Sequence, residues 1–366
     1  MTRSGDDVMD YRGRLRRLVQ RLDARRLDAL LVTHLPNIRY LCGFTGSAGV
    51  LLVANGSSTF FTDGRYREQA AAEVQGAKLV VPKGAVLDAA ARALAGLRVR
   101  NIGLESEHLS VAAEAKVART LGRKARLRQT LGLVEEYRMV KEPAEVGCLR
   151  AAVLLGSSLF DKAVAAIHPG VPERAVAAEL EYAARQAGAD GMSFETIVAA
   201  GARSALPHGL ASAQPIPRRG FVVLDFGVIL RGYCSDMTRT VHVGKPAAEA
   251  RRLYRAVRDA QQAAIDAVRP GRPVGEVDQA ARSWLRGAGL ARYFTHSTGH
   301  GVGLEIHEPP RIARGQPEVL RPGMVITIEP GVYVPSCGGV RIEDMVVVTT
   351  TSCEVLTPTP KELLVV

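Results

Sequence analysis

Residues 11–27 place apolar side chains at Leu15, Leu18, Val19 and Leu22, the three-and-four spacing of a helix with one buried face. LDALLVT, VLLVAN and STFFT follow as short apolar and β-branched runs that read as strands, with Gly56-Ser57 as the turn between the last two. REQAAAEV, DAAARALAGL and SVAAEAKVARTL have helical spacing, and AKLVVP, NIGLE and RLRQT are strand-like. This alternation predicts a mixed-sheet α/β domain built in three layers. It stops near residue 134. Pro143 then opens an Ala/Leu-rich helix expected to run to about Ile167, with HPGVPE as its stop, and PERAVAAELEYAARQAGA is a second helix ending near Gly188. The boundary is expected between Val134 and Pro143, giving domains 1–134 and 135–366.

Beyond Gly188 the pattern becomes hairpins alternating with helix pairs. Two hairpins, each preceded by an apolar strand, begin alike as LDFGV and IEPGV. That likeness suggests two related α/β halves about a pseudo-twofold axis. Each hairpin carries a pair of acids. In VVLDFGVILRGYCSDMTRT, Arg231-Gly232 marks a turn, and with Leu230 and Arg231 as its central residues Asp225 stands opposite Asp236, with Cβ atoms roughly 5 Å apart. In TIEPGVYVPSCGGVRIED, the loop centres on Ser336, and Glu329 and Glu343 are equidistant from it.

Charges in strongly β-forming stretches are costly unless paired. Four carboxylates brought together cannot all stay ionised without a cation. With His300, which stands between two glycines, Asp225, Asp236, Glu329 and Glu343 form an oxygen-rich set with one imidazole. Two divalent ions neutralise its four negative charges. Such ligands suit Mn²⁺, with Co²⁺ or Zn²⁺ as alternatives. Bridged ions of this kind generate hydroxide near neutral pH and polarise a carbonyl.

GHGVGLEIHE, LDFGVILRGYCSDMTRT, IEPGVYV and VRIED resemble the motifs of the pita-bread metallopeptidases, in particular the Xaa-Pro branch of prolidase (Xaa-Pro dipeptidase) and aminopeptidase P. SFETIVAAGARSALPHG resembles another motif of that branch. NIRYLCGFTGSAGVLLV with FFTDGRY resembles the amino-terminal domain of these enzymes, and YRMVKEPAEVGCLRAA the junction between domains. The resemblance covers essentially the whole chain. It implies a creatinase/prolidase-like amino-terminal domain and a pita-bread, duplicated α+β catalytic domain.

The resemblance also implies roles. Asp236 and Glu343 bridge two ions, Asp225 completes one site, and His300 and Glu329 complete the other. Glu329 is the expected proton acceptor, and His208 and His307 the donors to the oxyanion and the leaving nitrogen. His296 has two readings, a pocket wall or a satisfied polar residue. Tyr333 is either a hydrogen-bonding neighbour of the metals or an inward aromatic. Arg341 either braces a ligand carboxylate as a bidentate fork or is a solvated strand residue. Arg311 either grips a substrate C-terminal carboxylate, which favours dipeptides, or is a surface arginine. His34, His108, His168 and His242 are expected on surfaces or loops.

Composition narrows the partners. The net charge of +11 is concentrated in residues 1–134, which hold 22 Lys/Arg against 12 Asp/Glu. Those bases are scattered, without a run of five or interleaved aromatics, so nucleic acid is not expected. No continuous apolar run reaches the ~20 residues of a membrane span, and the opening lacks a signal-peptide core, so no membrane partner and a cytoplasmic location are expected. Cys42, Cys148, Cys234, Cys337 and Cys353 contain no CxxC pair and read as thiols. The expected substrates are proline-containing dipeptides, with longer Xaa-Pro peptides, as for aminopeptidase P, the alternative. Pairing through the amino-terminal domain as a homodimer is also implied. Methionine aminopeptidase lacks the amino-terminal domain, and creatinase lacks the metal ligands. An inactive binding protein on the same fold would have lost ligands, and all five are present.

Overall fold

The computed structural model describes residues 9–54 and 56–366. They fall into two compact units that divide between Arg138 and Met139.

In the first unit, a six-stranded mixed sheet runs in the order Lys78–Val80, Ser57–Phe61, Val50–Ala54, Ala29–Val32, Asn101–Glu105, Arg126–Thr130. Its central pairings are antiparallel and its outer ones parallel. Ala29–Val32 is buried along its whole length, which explains its unbroken apolar run. Leu31, Leu52 and Leu104 pack against Leu94 and Leu121 of helices Val86–Ala95 and Val111–Leu121. Tyr11–Ala24 is helical, as its spacing predicts, with Leu15, Leu18 and Leu22 buried. One detail differs from expectation. The ladder pairs Ala54 with Ser57, so Ser57 belongs to a strand and not to the expected turn, and residue 55 is outside the described residues. Leu35–Cys42, inside the NIRYLC motif, is a helix entered through a proline in its first turn.

The second unit repeats one arrangement twice. In its first half, helices Pro143–Ser158, Phe160–Ala165 and Glu173–Gln186 accompany a sheet ordered Met237–Val243, Gly220–Phe226, Ile197–Ala200. Val176, Leu180, Val198, Val222 and Leu224 form its core. In the second half, helices Ala248–Ala267 and Val274–Gly287 accompany a sheet ordered Glu308–Ile312, Gly299–Gly301, Val325–Ile328, Asp344–Val348, Cys353–Val355. Its core includes Leu253, Val257, Val277, Leu285, Ile326 and Val346. Each half contributes one acid-bearing hairpin, and this duplicated α+β arrangement is the pita-bread fold.

The helix opened by Pro143 ends at Ser158 and resumes as Phe160–Ala165 after Leu159. The break has local causes. Gly156 approaches Ser235, and Ser158 Oγ bonds back to the Leu155 carbonyl at 2.7 Å. The stretch Pro143–Ala165 has the length and apolarity to cross a bilayer. It is nevertheless a core element, with Leu149, Ala152 and Val153 buried and Tyr233 donating to Glu145.

The first acid hairpin corrects the expected register. Arg231 (φ 52°) and Gly232 (φ 75°) are its central residues, one position later than predicted. Asp225 therefore pairs with Thr238, and Asp236 lies in the link between Tyr233–Cys234 and Met237–Val243. The second hairpin matches expectation. Tyr333 pairs with Gly339 and Gly331 with Arg341 about Ser336, and Ile328 with Asp344 continues the same register. His242 is a second correction. It is buried in Met237–Val243, edge-on to Phe221, with Nδ1 donating to the Gly244 carbonyl.

Candidate metal centre

The two hairpins are stitched together by backbone and by one buried arginine. Glu343 N–H donates to the Thr238 carbonyl at 3.1 Å, and Thr240 Oγ1 to the Arg341 carbonyl at 2.9 Å. Arg239 spans the seam, bonding the carbonyls of Thr238, Glu343 and Thr359 and the Asp344 carboxylate. This seam turns the Asp225–Asp236 hairpin toward Glu329 and Glu343.

His300 is aimed from the side by Gly299–Gly301. A Cβ on Gly299 would sit 1.9 Å from the Thr327 carbonyl oxygen, and one on Gly301 would sit 2.2 Å from the Pro309 carbonyl oxygen. Only glycine allows this approach. His300 Nδ1 donates to the Gly301 carbonyl at 2.9 Å, which leaves Nε2 as a lone-pair donor. Nε2 lies 3.5 Å from both Asp236 Oδ2 and Glu329 Oε1. Donor atoms of Asp236, His300 and Glu343 fall within 4.8 Å of one another.

The electrostatics call for a cation. Asp225 Oδ1, Asp236 Oδ1 and Glu343 Oε1 are buried without a hydrogen-bond partner among the described residues. Such orphaned charged oxygens are strongly disfavoured in an interior. Burial, then the negative neighbours Glu343, Asp225 and Glu329, push the Asp236 carboxyl well above its usual range. Burial, then Glu329 and Asp225, push Glu343 well up in the same way. Glu329 is raised to about 7, chiefly by burial, with Arg341 opposing. Burial lowers His300 to about 4, so its imidazole is neutral at physiological pH. Carboxylates with unmet oxygens beside a neutral, oriented imidazole are a donor set that fits divalent metal.

Arg341 is buried and does not make the bidentate fork expected of it. Nη2 reaches Asp225 Oδ2, Nη1 reaches the Tyr333 hydroxyl and the Pro207 carbonyl, and Nε reaches Thr238 Oγ1. One Asp225 oxygen is thereby held and the other left toward the cluster. His296 lines the cavity with both nitrogens engaged. Nδ1 donates to the Ser297 carbonyl at 2.8 Å, so Nε2 accepts from the Tyr333 hydroxyl at 2.8 Å. Burial, then Arg341, lowers His296 to about 4.

All eleven sequence-predicted site residues line one cavity of about 830 Å³. His307 stands edge-on to His300 at 4.5 Å, and burial and His208 lower its pKa. Arg311 is exposed on Glu308–Ile312, its guanidinium without a partner among the described residues. Sequence reasoning missed the apolar wall of Phe194, Ile197, Leu210 and Ile306, and the polar rim of Glu195, Gln316 and Glu318. It also missed Thr238, whose Oγ1 donates to Glu343 Oε2 at 2.8 Å, and Thr327, bonded to the His300 N–H. Thr238 faces Asp225 across the ladder, and Thr327 lies two residues before Glu329, so each stood close to an acid that the sequence had singled out.

A cleft floored by paired acids and one oriented imidazole defines a metal-dependent hydrolase centre. The chain belongs to metallopeptidase family M24, whose pattern matches residues 147–350, and residues 14–140 match the creatinase/prolidase N-terminal domain. It is 36% identical to an Xaa-Pro dipeptidase of Pyrococcus horikoshii, covering 98% of this chain and 100% of that one. Among solved structures, it resembles an Xaa-Pro dipeptidase from Bacillus anthracis with a TM-score of 0.94 at 40% identity, covering 98% and 100% of the two chains. It also resembles an X-Pro aminopeptidase from Thermotoga maritima with a TM-score of 0.88 at 34% identity, covering 96% and 100%.

Proposed function

We propose that this protein is an Xaa-Pro dipeptidase that uses two divalent ions, Mn²⁺ foremost, held by Asp225, Asp236, His300, Glu329 and Glu343. The observation that carries the reading is the set of three buried carboxylate oxygens without partners beside the lone pair of His300. Asp225, Asp236, His300, Glu329 and Glu343 would together hold the ions, with donor atoms of Asp236, His300 and Glu343 converging most closely. Ions bound there supply an activated water and polarise the scissile carbonyl.

The remaining work belongs to the side chains. Glu329 takes the proton from the attacking water and delivers it to the departing proline nitrogen. His208 and His307 donate to the substrate oxygens and to the leaving group. An Xaa-Pro bond is a tertiary amide without an N–H, so a site that grips the carbonyl and the chain ends suits it. Arg311, on the cavity wall and without a partner for its guanidinium among the described residues, takes the C-terminal carboxylate of a dipeptide as a fork. Arg341 and Tyr333 hold Asp225 and His296 in place. The similarity to an X-Pro aminopeptidase supports a second reading, removal of the residue before proline from longer peptides.

We also propose a cytoplasmic homodimer without nucleic-acid or membrane partners. Cys42, Cys337 and Cys353 are free thiols, which supports a reducing compartment. Twofold dimers are the commonest homo-oligomers.

The test is hydrolysis of Ala-Pro, Ala-Pro amide and an Ala-Pro-Xaa tripeptide by chelated and Mn²⁺-reloaded protein. A dipeptidase loses activity on chelation, regains it with Mn²⁺, and prefers Ala-Pro to its amide by about 10- to 150-fold, the worth of one charge-assisted contact of roughly 1.5–3 kcal/mol. Full activity in metal-free protein would sink the mechanism. Faster cleavage of the tripeptide would replace the dipeptidase with the aminopeptidase.

A further inference from the structure

His208 sits in a loop that is held at many points, while its own imidazole has no hydrogen-bond partner among the described residues. One carboxylate does much of the holding. Glu173 is fully buried at the start of helix Glu173–Gln186. Its Oε1 accepts the Ala200 N–H at 2.8 Å, and its Oε2 accepts from Ser212 Oγ at 2.6 Å and Ser212 N at 3.1 Å. Arg203 Nε donates to both oxygens, at 2.9 and 3.2 Å, and its Nη2 reaches the Leu210 carbonyl at 2.7 Å. Residues 200, 203, 210 and 212 bracket His208 on both sides. The same loop is fixed to the second hairpin, where Arg341 Nη1 donates to the Pro207 carbonyl at 3.0 Å and Gly339 N–H to Ser204 Oγ at 2.9 Å.

We propose that Glu173 is a positioning residue for the hydrolytic reaction, tying both ends of the 200–212 loop to one buried carboxylate so that His208 is presented rigidly to the cavity. The inference rests on the reading of His208 as a substrate contact. A buried carboxylate needs several donors to be tolerated, and here every donor comes from the loop or its two ends. The helix is entered through Pro172 without a side-chain cap, and Glu173, though its charge lies in the first turn, directs its hydrogen bonds to the loop. A loop fixed on both sides with one imidazole left unengaged is the arrangement a reacting group requires, because small misplacements of such a group are costly in rate. His208 is thereby linked through Pro207 and Arg341 to Asp225, so the loop and the acid cluster share one brace.

The experiment is a double-mutant cycle on the Mn²⁺-loaded enzyme with Ala-Pro, combining Glu173→Gln and His208→Ala, with hydrogen exchange over 200–212 as the second readout. Glu173→Gln should lower kcat/KM by roughly 10- to 100-fold in the wild-type background. It should change kcat/KM by no more than about twofold once His208 is alanine, since residues acting as a unit are not additive. Exchange should quicken at Ala200 and Ser212 and stay unchanged in Gly220–Phe226, with metal content preserved. Equal losses in both backgrounds would reduce Glu173 to a structural residue and overturn the proposal. Unaltered exchange in the loop would overturn it as well. Full activity in His208→Ala would instead remove the reading of His208 itself, and the proposal with it. If Glu173→Gln fails to fold, Ser212→Ala removes one tie at the far end and is read by the same cycle.

Discussion

Three carboxylate oxygens, on Asp225, Asp236 and Glu343, account for most of the chemistry at the scale of single residues. Each is buried with no donor, and the carboxyls of Asp236, Glu343 and Glu329 all titrate above their ordinary range without metal. A cation must displace the protons those groups retain, so loading releases protons and apparent affinity rises with pH. His300, already neutral above about 4, contributes none at pH 6 or higher. Calorimetric titration with Mn²⁺ in buffers of different ionisation enthalpy should therefore find more protons released at pH 6 than at pH 8, because Glu329 ionises between the two. Release that does not depend on pH would contradict these environments. Glu343→Ala should abolish binding of the second ion and lower turnover at least about 10²-fold, more than the loss of an outer partner. Near-normal metal content in that variant would mean the centre lies elsewhere. These candidate ligands stood out in the sequence because acids are rare in apolar, strand-like stretches. Their partners stood out less. Arg341 reads as a fork to one carboxylate, yet it divides its donors among four residues drawn from three separate stretches of chain.

Between elements, the two hairpins differ in how well their register could be read. The second is centred by its own symmetry about Ser336, and Glu329 and Glu343 occupy facing positions as expected. The first turns at the Arg231-Gly232 pair that marks it, but both of those residues are central, with Arg231 left-handed, in place of Leu230 and Arg231. The error moves Asp236 from the rung opposite Asp225 to a link between strands, while the acids still converge because the seam with Thr238 and Thr240 fixes the hairpin as a whole. Gly299 tests how far such close packing matters. Gly299→Ala forces a Cβ to within 1.9 Å of the Thr327 carbonyl oxygen, so the strand bearing His300 must move. Overpacking of this kind costs about 1–3 kcal/mol. Thermal melts should drop accordingly, and Mn²⁺ affinity should fall with them. An unchanged melt and unchanged affinity would show that the strand yields without moving the imidazole.

For the whole molecule, alternation of elements gave the class of the first unit and the repeat of the second, since both rest on local periodicity. What joins distant segments was not readable, as with Lys141 and Glu308, a buried ion pair 167 residues apart at 3.1 Å. Charge is also unevenly spread, with nearly all of the net +11 in residues 1–134. If that domain pairs with a second copy, light scattering at micromolar concentration should give about twice the 39.2 kDa of one chain, and a monomer alone would count against pairing. The seam between the halves has a further bearing, on how the enzyme comes into being. Asp225 and Glu343 are separated by 118 residues, which a ribosome adds in roughly 6 to 24 s. During that interval the first hairpin exists without its counterpart. If these hairpins together hold the ions, a nascent chain halted between them should be folded in part yet unable to take up a divalent cation.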